Sequence, residues 1–240
     1  MISFNSKVCL VTGGGSGIGR GIALAFSNLG AKLVVCGRRE GMIAETAKQI
    51  RHSGGECLPV RADVSSLEDV QHLVEMTINK YKKVDILVNN AGIGGGGNIH
   101  NHDVDSWDQI MAVNLRGPFL LSREVLKHMR AQRYGHIVNI SSESGLEYYP
   151  GNGAYGVSKH ALNDLGEYIQ RENQEFNIRV DTICPGMVVT EMSENNPGLD
   201  HSKCLYPEDI ADLVVWLVTR RENVKIGRPI LIQTMENPWT

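Results

Sequence analysis

An α/β fold, a doubly wound parallel sheet of about seven strands with helices on both faces, is predicted by two features of the sequence. Short β-branched runs alternate with helix-like segments from the first residues onward, and most of those runs are apolar nearly throughout. An alternating run needs cover on one face only; an apolar run needs it on both, and helices are what cover a parallel sheet. The strand-like runs are KVCLVTG (7–13), KLVVCG (32–37), ECLPV (56–60), VDILVNN (84–90), GHIVNIS (135–141), IRVDTIC (178–184) and RPILIQ (228–233). The helical patterns between them, of about 12 or more residues, are long enough for right-handed crossovers.

Three helix signals stand out. SSLE (65–68) reads as a capping box, and Pro207 in YPEDIADLVVWLV suits a first helical turn. The segment from Asp105 to Ala131 reads as one helix with Gly117 and Pro118 inside it, so a kink is expected one turn earlier, near Asn114. No repeat, low-complexity tract or linker divides the chain, and residues 1–240 are expected to form a single dinucleotide-binding and catalytic domain.

Composition excludes several classes. Apolar residues are 42% and charged residues 21%, which argues against a disordered or fibrous chain. The net charge is 24 minus 27, or -3, without blocks of like charge, so neither a nucleic-acid surface nor a membrane-seeking patch is expected. The first residues carry too short an apolar segment for a secretory signal, and LVVWLV (213–218) is far short of a membrane span. Cys9, Cys36, Cys57, Cys184 and Cys204 are an odd set without close pairs, read as reduced thiols in a cytoplasmic protein.

VCLVTGGGSGIGRGIALAF runs strand, glycine-rich turn, helix. Glycines there let the backbone approach a pyrophosphate, whose charge suits the unpaired amides of a helix start, and this makes the fold Rossmann-type. The spacing is GxxxGxG, on Gly13, Gly17 and Gly19, with Gly15, Ser16 and Ile18 in the same turn. After the second strand, where an enzyme using NAD carries an acid, the chain reads Gly37-Arg38. A carboxylate would repel a 2'-phosphate and a guanidinium fork binds one, so the pattern favours NADP(H), with NAD(H) as the alternative if Arg38 points to solvent. The turn itself holds no second basic residue; Ser16 stands there.

In AYGVSKHAL, Tyr155 and Lys159 are four residues apart and share a helix face. Alone, that pair suits an exposed amphipathic turn better than a catalytic one. In register with TGGGSGIG, NNAG (89–92), Asn114 in MAVNLRG, NISS (139–142), YGVSK (155–159) and PGMVVT (185–190), it does not stand alone. Along nearly all its length the chain resembles the short-chain dehydrogenase/reductases, and among them the 3-oxoacyl-thioester reductases. The resemblance implies that Tyr155 is the acid or base and that Ser142 holds the substrate oxygen. It further implies that Lys159 binds the nicotinamide ribose and lowers the Tyr155 pKa, and that Asn114 holds a relay water. Asp63 and Val64 would border the adenine; Asn90, Ala91 and Gly92 would line the adenosine side. Pro185, Gly186, Val188 and Thr190 would meet the nicotinamide end, and Met187 the substrate. It also implies a homodimer or homotetramer acting on a small-molecule carbonyl or alcohol.

The expected activity is therefore reversible hydride transfer between NADP(H) and a carbonyl or secondary alcohol, most plausibly ketone reduction. A NAD-dependent alcohol or polyol dehydrogenase is the enzymatic rival, and a non-catalytic dinucleotide sensor the rival of another class. NIHNHDVD (98–105) offers His100, His102, Asp103 and Asp105, but reads as a polar connection, and no metal is expected.

Overall fold

The seven apolar runs become seven strands: β1 (Val8–Thr12), β2 (Lys32–Gly37), β3 (Glu56–Arg61), β4 (Ile86–Asn89), β5 (Gly135–Ile140), β6 (Ile178–Pro185) and β7 (Ile230–Ile232). They are seen in a computed structural model that describes residues 4–194, 196 and 198–239. Every neighbouring pair is parallel, in the order β3-β2-β1-β4-β5-β6-β7. Strand order reverses between β1 and β4, and that switch point opens a crevice at the carboxyl ends of the strands.

The unbroken apolar character of the strands is explained by two separate cores. Cys9, Val11, Leu33, Val35, Ile86 and Val88 face helices α1 (Gly17–Asn28), α2 (Glu40–His52) and α7 (Pro207–Val218). Their chain neighbours Leu10, Val34, Cys36 and Leu87 face α3 (Leu67–Tyr81), α5 (Gly117–Gln132) and α6 (Gly153–Asn173). Successive strand residues point to opposite faces, so an apolar residue is needed at every position. Leu10 is fully buried, and truncating such a side chain to alanine costs about 2–5 kcal/mol.

Local signals were read with partial accuracy. The α3 cap is Ser66, not Ser65: the Ser66 hydroxyl accepts the Asp69 amide at 3.2 Å, while Ser65 turns its own hydroxyl to Asp63, 2.7 Å away. The expected helix from Asp105 to Ala131 is α4 (Val104–Met111) and α5 joined by a π-helical turn, Ala112–Arg116. Pro118 offers no amide to the Asn114 carbonyl one turn back, and the wider turn, in which the Gly117 amide reaches the Ala112 carbonyl, absorbs that loss. Pro207 does open α7, where Asp209 accepts the Tyr206 amide at 2.7 Å. The tail beyond β7 folds back over the segment between β6 and α7, with the Asp200 amide donating to the Pro238 carbonyl and the Thr234 hydroxyl to that of Lys203.

At the amino end of the sheet three charged or titratable groups are buried together. His136 on β5 and Arg179 on β6 are cross-strand partners, and Asp181 lies two residues further along β6. Arginine can only donate, so its Nη2, 3.1 Å from His136 Nδ1, makes that nitrogen an acceptor; Nε2 then carries the proton, donated to Asp181 at 2.6 Å. Burial holds the imidazole pKa below its ordinary value despite Asp181. Among the described residues, no helix is long and apolar enough to cross a membrane.

Candidate active site

A cleft of about 510 Å³ opens at the carboxyl ends of the strands. Its lining includes the residues that directly follow β1, β3, β4 and β5, namely Gly13, Ala62, Asn90 and Ser141. Gly13, Gly15, Ser16, Gly17, Ile18, Arg38, Asp63, Val64, Asn90, Ala91, Gly92, Tyr155, Lys159 and Thr190 all border it.

The glycine-rich turn is shaped by what cannot fit there. Gly13 has a φ of +64°, and a Cβ on Gly19 would lie 2.4 Å from the Gly13 carbonyl oxygen. Gly19 therefore does not line the cleft; it lets α1 close on β1 behind it. The NNAG stretch is fastened to this turn. Thr12 Oγ1 accepts the amides of Asn90 and Ala91 at 3.0 and 2.9 Å, and Asn90 Nδ2 donates to the Thr12 carbonyl at 2.8 Å. The two loops on either side of the switch point thus form one rigid wall.

Tyr155 and Lys159 stand in the first turns of α6, one turn apart, and both reach the cleft. Lys159 is 4% exposed; its Nζ donates to the Ile140 carbonyl at 3.0 Å and lies 5.5 Å from the centre of the Tyr155 ring. Asn114, in the π-turn, is fully buried beside them. Its Oδ1 accepts the Ile93 amide at 2.9 Å, and its Nδ2 donates to the Ile93 carbonyl and to Ser158 Oγ at 3.0 and 3.1 Å. The side chain is thereby fully engaged by protein groups.

Electrostatics correct one expectation. Burial raises the Tyr155 pKa above its ordinary 10.0; a hydrogen bond to Ser142 pulls the other way without prevailing, so Lys159 does not leave the phenol with a lowered pKa. Desolvation acts on Lys159 instead, pushing the ammonium down from 10.5 to about 8. The physical reason is common to both: each group is taken out of water with no opposite charge to compensate.

Several predicted residues stand off the cleft lining. Asn114 lies behind it, Ser142 reaches it through Tyr155, and Pro185, which ends β6, and Gly186, Met187 and Val188, which follow it, lie outside the lining. The amide of Gly186 is held by the Ile232 carbonyl of β7, and Val188 bridges to Leu205. The segment 98–105 serves as a helix start: Asp103 caps α4 by accepting the Ser106 amide, and the His102 ring meets Trp107 edge-on. No group of three or more metal-ligating side chains occurs among the described residues.

Arg39 and Glu191 are among the lining residues that the sequence does not single out. Arg39 Nη2 lies 3.0 Å from Ser16 Oγ and 2.7 Å from Glu191 Oε2, so the basic group absent from the glycine-rich turn arrives there through space. Arg38, exposed, makes no hydrogen bond or ion pair with the described residues, but its charge helps Ser65 lower the Asp63 pKa against the upward effect of burial. The doublet RRE was the only available signal, and it does not say which arginine turns which way.

The cleft suits a nicotinamide dinucleotide: glycine cradles where a Cβ would collide, a helix N-terminus, two guanidinium groups and a buried ammonium occur along one groove. The family model for short chain dehydrogenases matches residues 7–198. An uncharacterized oxidoreductase of Thermotoga maritima is 40% identical over 190 residues, 79% of this chain and 75% of that protein. A short-chain dehydrogenase/reductase from Burkholderia phymatum, solved in complex with NAD, superposes with a TM-score of 0.86 at 30% identity, covering 96% of this chain and 90% of the other. A metagenomic short-chain oxidoreductase in complex with NADP does so with a TM-score of 0.86 at 32% identity, covering 98% and 100%. Fold, cleft and these likenesses agree: the chain belongs to the short-chain dehydrogenase/reductase family of oxidoreductases.

Proposed function

We propose that this protein interconverts a carbonyl compound and a secondary alcohol with NADP(H), acting chiefly as a ketone reductase. The observation that carries the reading is the convergence of Tyr155, Lys159 and the glycine-rich turn on one cleft. Bound there, a nicotinamide dinucleotide supplies or accepts the hydride. Gly13, Gly15, Ser16, Gly17 and Ile18 hold its phosphates, Asp63 and Val64 its adenine, and Asn90, Ala91 and Gly92 its adenosine side. Lys159 holds the nicotinamide ribose, while Pro185, Gly186, Val188 and Thr190 meet the nicotinamide end.

Tyr155 gives its phenolic proton to the substrate oxygen in reduction and takes it back in oxidation. Ser142, whose side chain draws the Tyr155 pKa down, orients the same oxygen, and Met187 contacts the substrate. The buried phenol is protonated near neutral pH, as the proton donor of reduction must be. Asn114, whose π-turn brings its side chain to Ser158 between Tyr155 and Lys159, keeps the two groups in register, and its main chain, not the engaged side chain, holds the relay water. Arg38, free of other bonds and with no acid at the end of β2, supports NADP(H) over NAD(H).

A single sheet carrying both the glycine-rich turn and α6 supports one domain over residues 1–240. Exposed Phe119, Val157 and Tyr168 on α5 and α6 support a homodimer or homotetramer. Five buried free cysteines suit a reducing cytoplasm. The reading is tested by following NADPH oxidation with a panel of small ketones, aldehydes and 3-oxoacyl thioesters. Turnover with at least one carbonyl is expected; tight cofactor binding with no turnover across the panel would favour a sensor.

A further inference from the structure

Arg39 stands at the mouth of the cleft. It is the N-cap residue of α2, directly after the exposed Arg38, and its guanidinium lies across the cleft mouth between Ser16 of the glycine-rich turn and Glu191. Glu191 is equally well placed. It belongs to a tight turn in which Thr190 accepts the amides of Ser193 and Glu194, and buried Ser193 donates to the Val188 carbonyl at 2.7 Å. One of the two arginines at the end of β2 is thus open, and the other is already neutralised.

We infer that Glu191 sets the cofactor preference of this cleft by withholding Arg39 from the 2'-phosphate. This rests on the dinucleotide reading of the cleft and goes beyond it. A phosphate on the adenosine ribose competes with the Glu191 carboxylate for the same guanidinium, and guanidinium binds phosphate through the same paired donors. The carboxylate repels that phosphate as well. The Arg39–Glu191 pair has side chains 61% and 48% exposed, so it is held by no more than an ordinary surface ion pair and can be exchanged. NADP(H) binding therefore requires Arg39 to change partners, whereas NAD(H) binding leaves the pair intact. Arg38 supplies a constant attraction for phosphate, and Glu191 adjusts how much Arg39 adds.

Fluorescence titration of Glu191→Gln, Arg39→Ala and the double variant with NADPH and with NADH tests this. Glu191→Gln is expected to tighten NADPH about 2- to 5-fold, the scale of one exposed ion pair, while NADH shifts by less than that. Arg39→Ala is expected to weaken NADPH several-fold more in the Glu191→Gln background than in the wild type, because only there is the guanidinium free. Equal shifts for the two cofactors, or an Arg39→Ala effect the same in both backgrounds, would overturn the inference while leaving the cofactor reading intact. Wild-type protein that binds neither nucleotide would overturn both. Thermal melts within a degree or so of wild type show that the variants are folded.

Discussion

Lys159 Nζ donates to the Ile140 carbonyl oxygen at 3.0 Å, deep in the cleft and with no carboxylate beside it. A buried ammonium of this kind costs the fold stability. Its pKa falls from 10.5 to about 8, which corresponds to about 3 kcal/mol against the charged form. Between those two values the unfolded chain binds the proton more tightly, so this group makes stability rise as pH rises through the window and leaves a deficit below it.

Lys159→Met is therefore expected to stabilise the cofactor-free protein near neutral pH by about 1–3 kcal/mol, allowing for the lost bond to Ile140. In a chain of this size that is about 2–4 °C of melting temperature per kcal/mol. Turnover should vanish in the same variant. Differential scanning calorimetry with and without NADPH checks both halves: a higher melting temperature alone, and a smaller rise on adding cofactor. A lower melting temperature in the cofactor-free variant would contradict the assignment of a net desolvation cost.

Tyr155→Phe removes one hydroxyl and leaves the ring packed on α6. Loss of a general acid typically costs 10² to 10⁴ in rate, so kcat should fall at least about 100-fold, with cofactor Kd unchanged within about threefold. A variant retaining a tenth of the activity would exclude Tyr155 as the proton donor.

Asn114 makes three hydrogen bonds to Ile93 and Ser158 from a fully buried position. Asn114→Ala strands the Ile93 amide and carbonyl, for which about 2–4 kcal/mol of stability should be lost. Asn114→Asp keeps the acceptor for the Ile93 amide but forfeits the two donated bonds, so it should also destabilise the protein. Urea unfolding measures the stability change, and kcat, separately, the effect on the Tyr155–Lys159 register.

His136 predicts an acid-side weakness. Its folded pKa lies below the ordinary 6.5 because burial disfavours the cation. The unfolded chain therefore takes up a proton first as pH falls, and the stability present above about 6.5 is lost below it. Asp181→Asn removes the carboxylate that offsets the Arg179 charge through His136, while Arg179 keeps its bonds to His136 and to the Arg221 and Val224 carbonyls, and should cost about 3–5 kcal/mol. His136→Gln should flatten the decline in stability between about pH 5 and 7, measured by denaturant titration at a series of pH values. An unchanged slope would mean that His136 does not titrate between the two states.

The fold was legible because its signals are local and repeated. Residues such as Leu33, Val34 and Val35 are all buried, one side chain in one core and its neighbours in the other, which only a sheet covered on both faces requires. Pro118 announced a break near Asn114, though not that a π-turn would form it. The Ser66 cap was displaced by one residue because Asp63 claims Ser65, a contact that spacing alone does not reveal. Most residues carried by motifs border the cleft, since the motifs follow strand ends that the parallel sheet aligns at one edge, while Asn114, Ser142 and residues 185–188 stand off its lining. Arg39 and Glu191 were not, because they are 152 residues apart and meet only after β2 and β6 are set in the same sheet. The raised Tyr155 pKa was missed for a related reason: burial is a property of the packed site, and its cost exceeded the effect expected from a neighbouring ammonium.

The most direct test of the central claim is to titrate the purified wild-type protein with NADPH and NADH separately, following nucleotide fluorescence. Binding of both with clearly tighter NADPH is expected, because Arg38 makes no hydrogen bond or ion pair with the described residues and stands where an enzyme using NAD carries an acid, an attraction that Glu191 moderates through Arg39 alone. Equal or tighter NADH binding would contradict the phosphate reading and favour a NAD-dependent alcohol dehydrogenase, and binding of neither would contradict the assignment of the cleft to a dinucleotide.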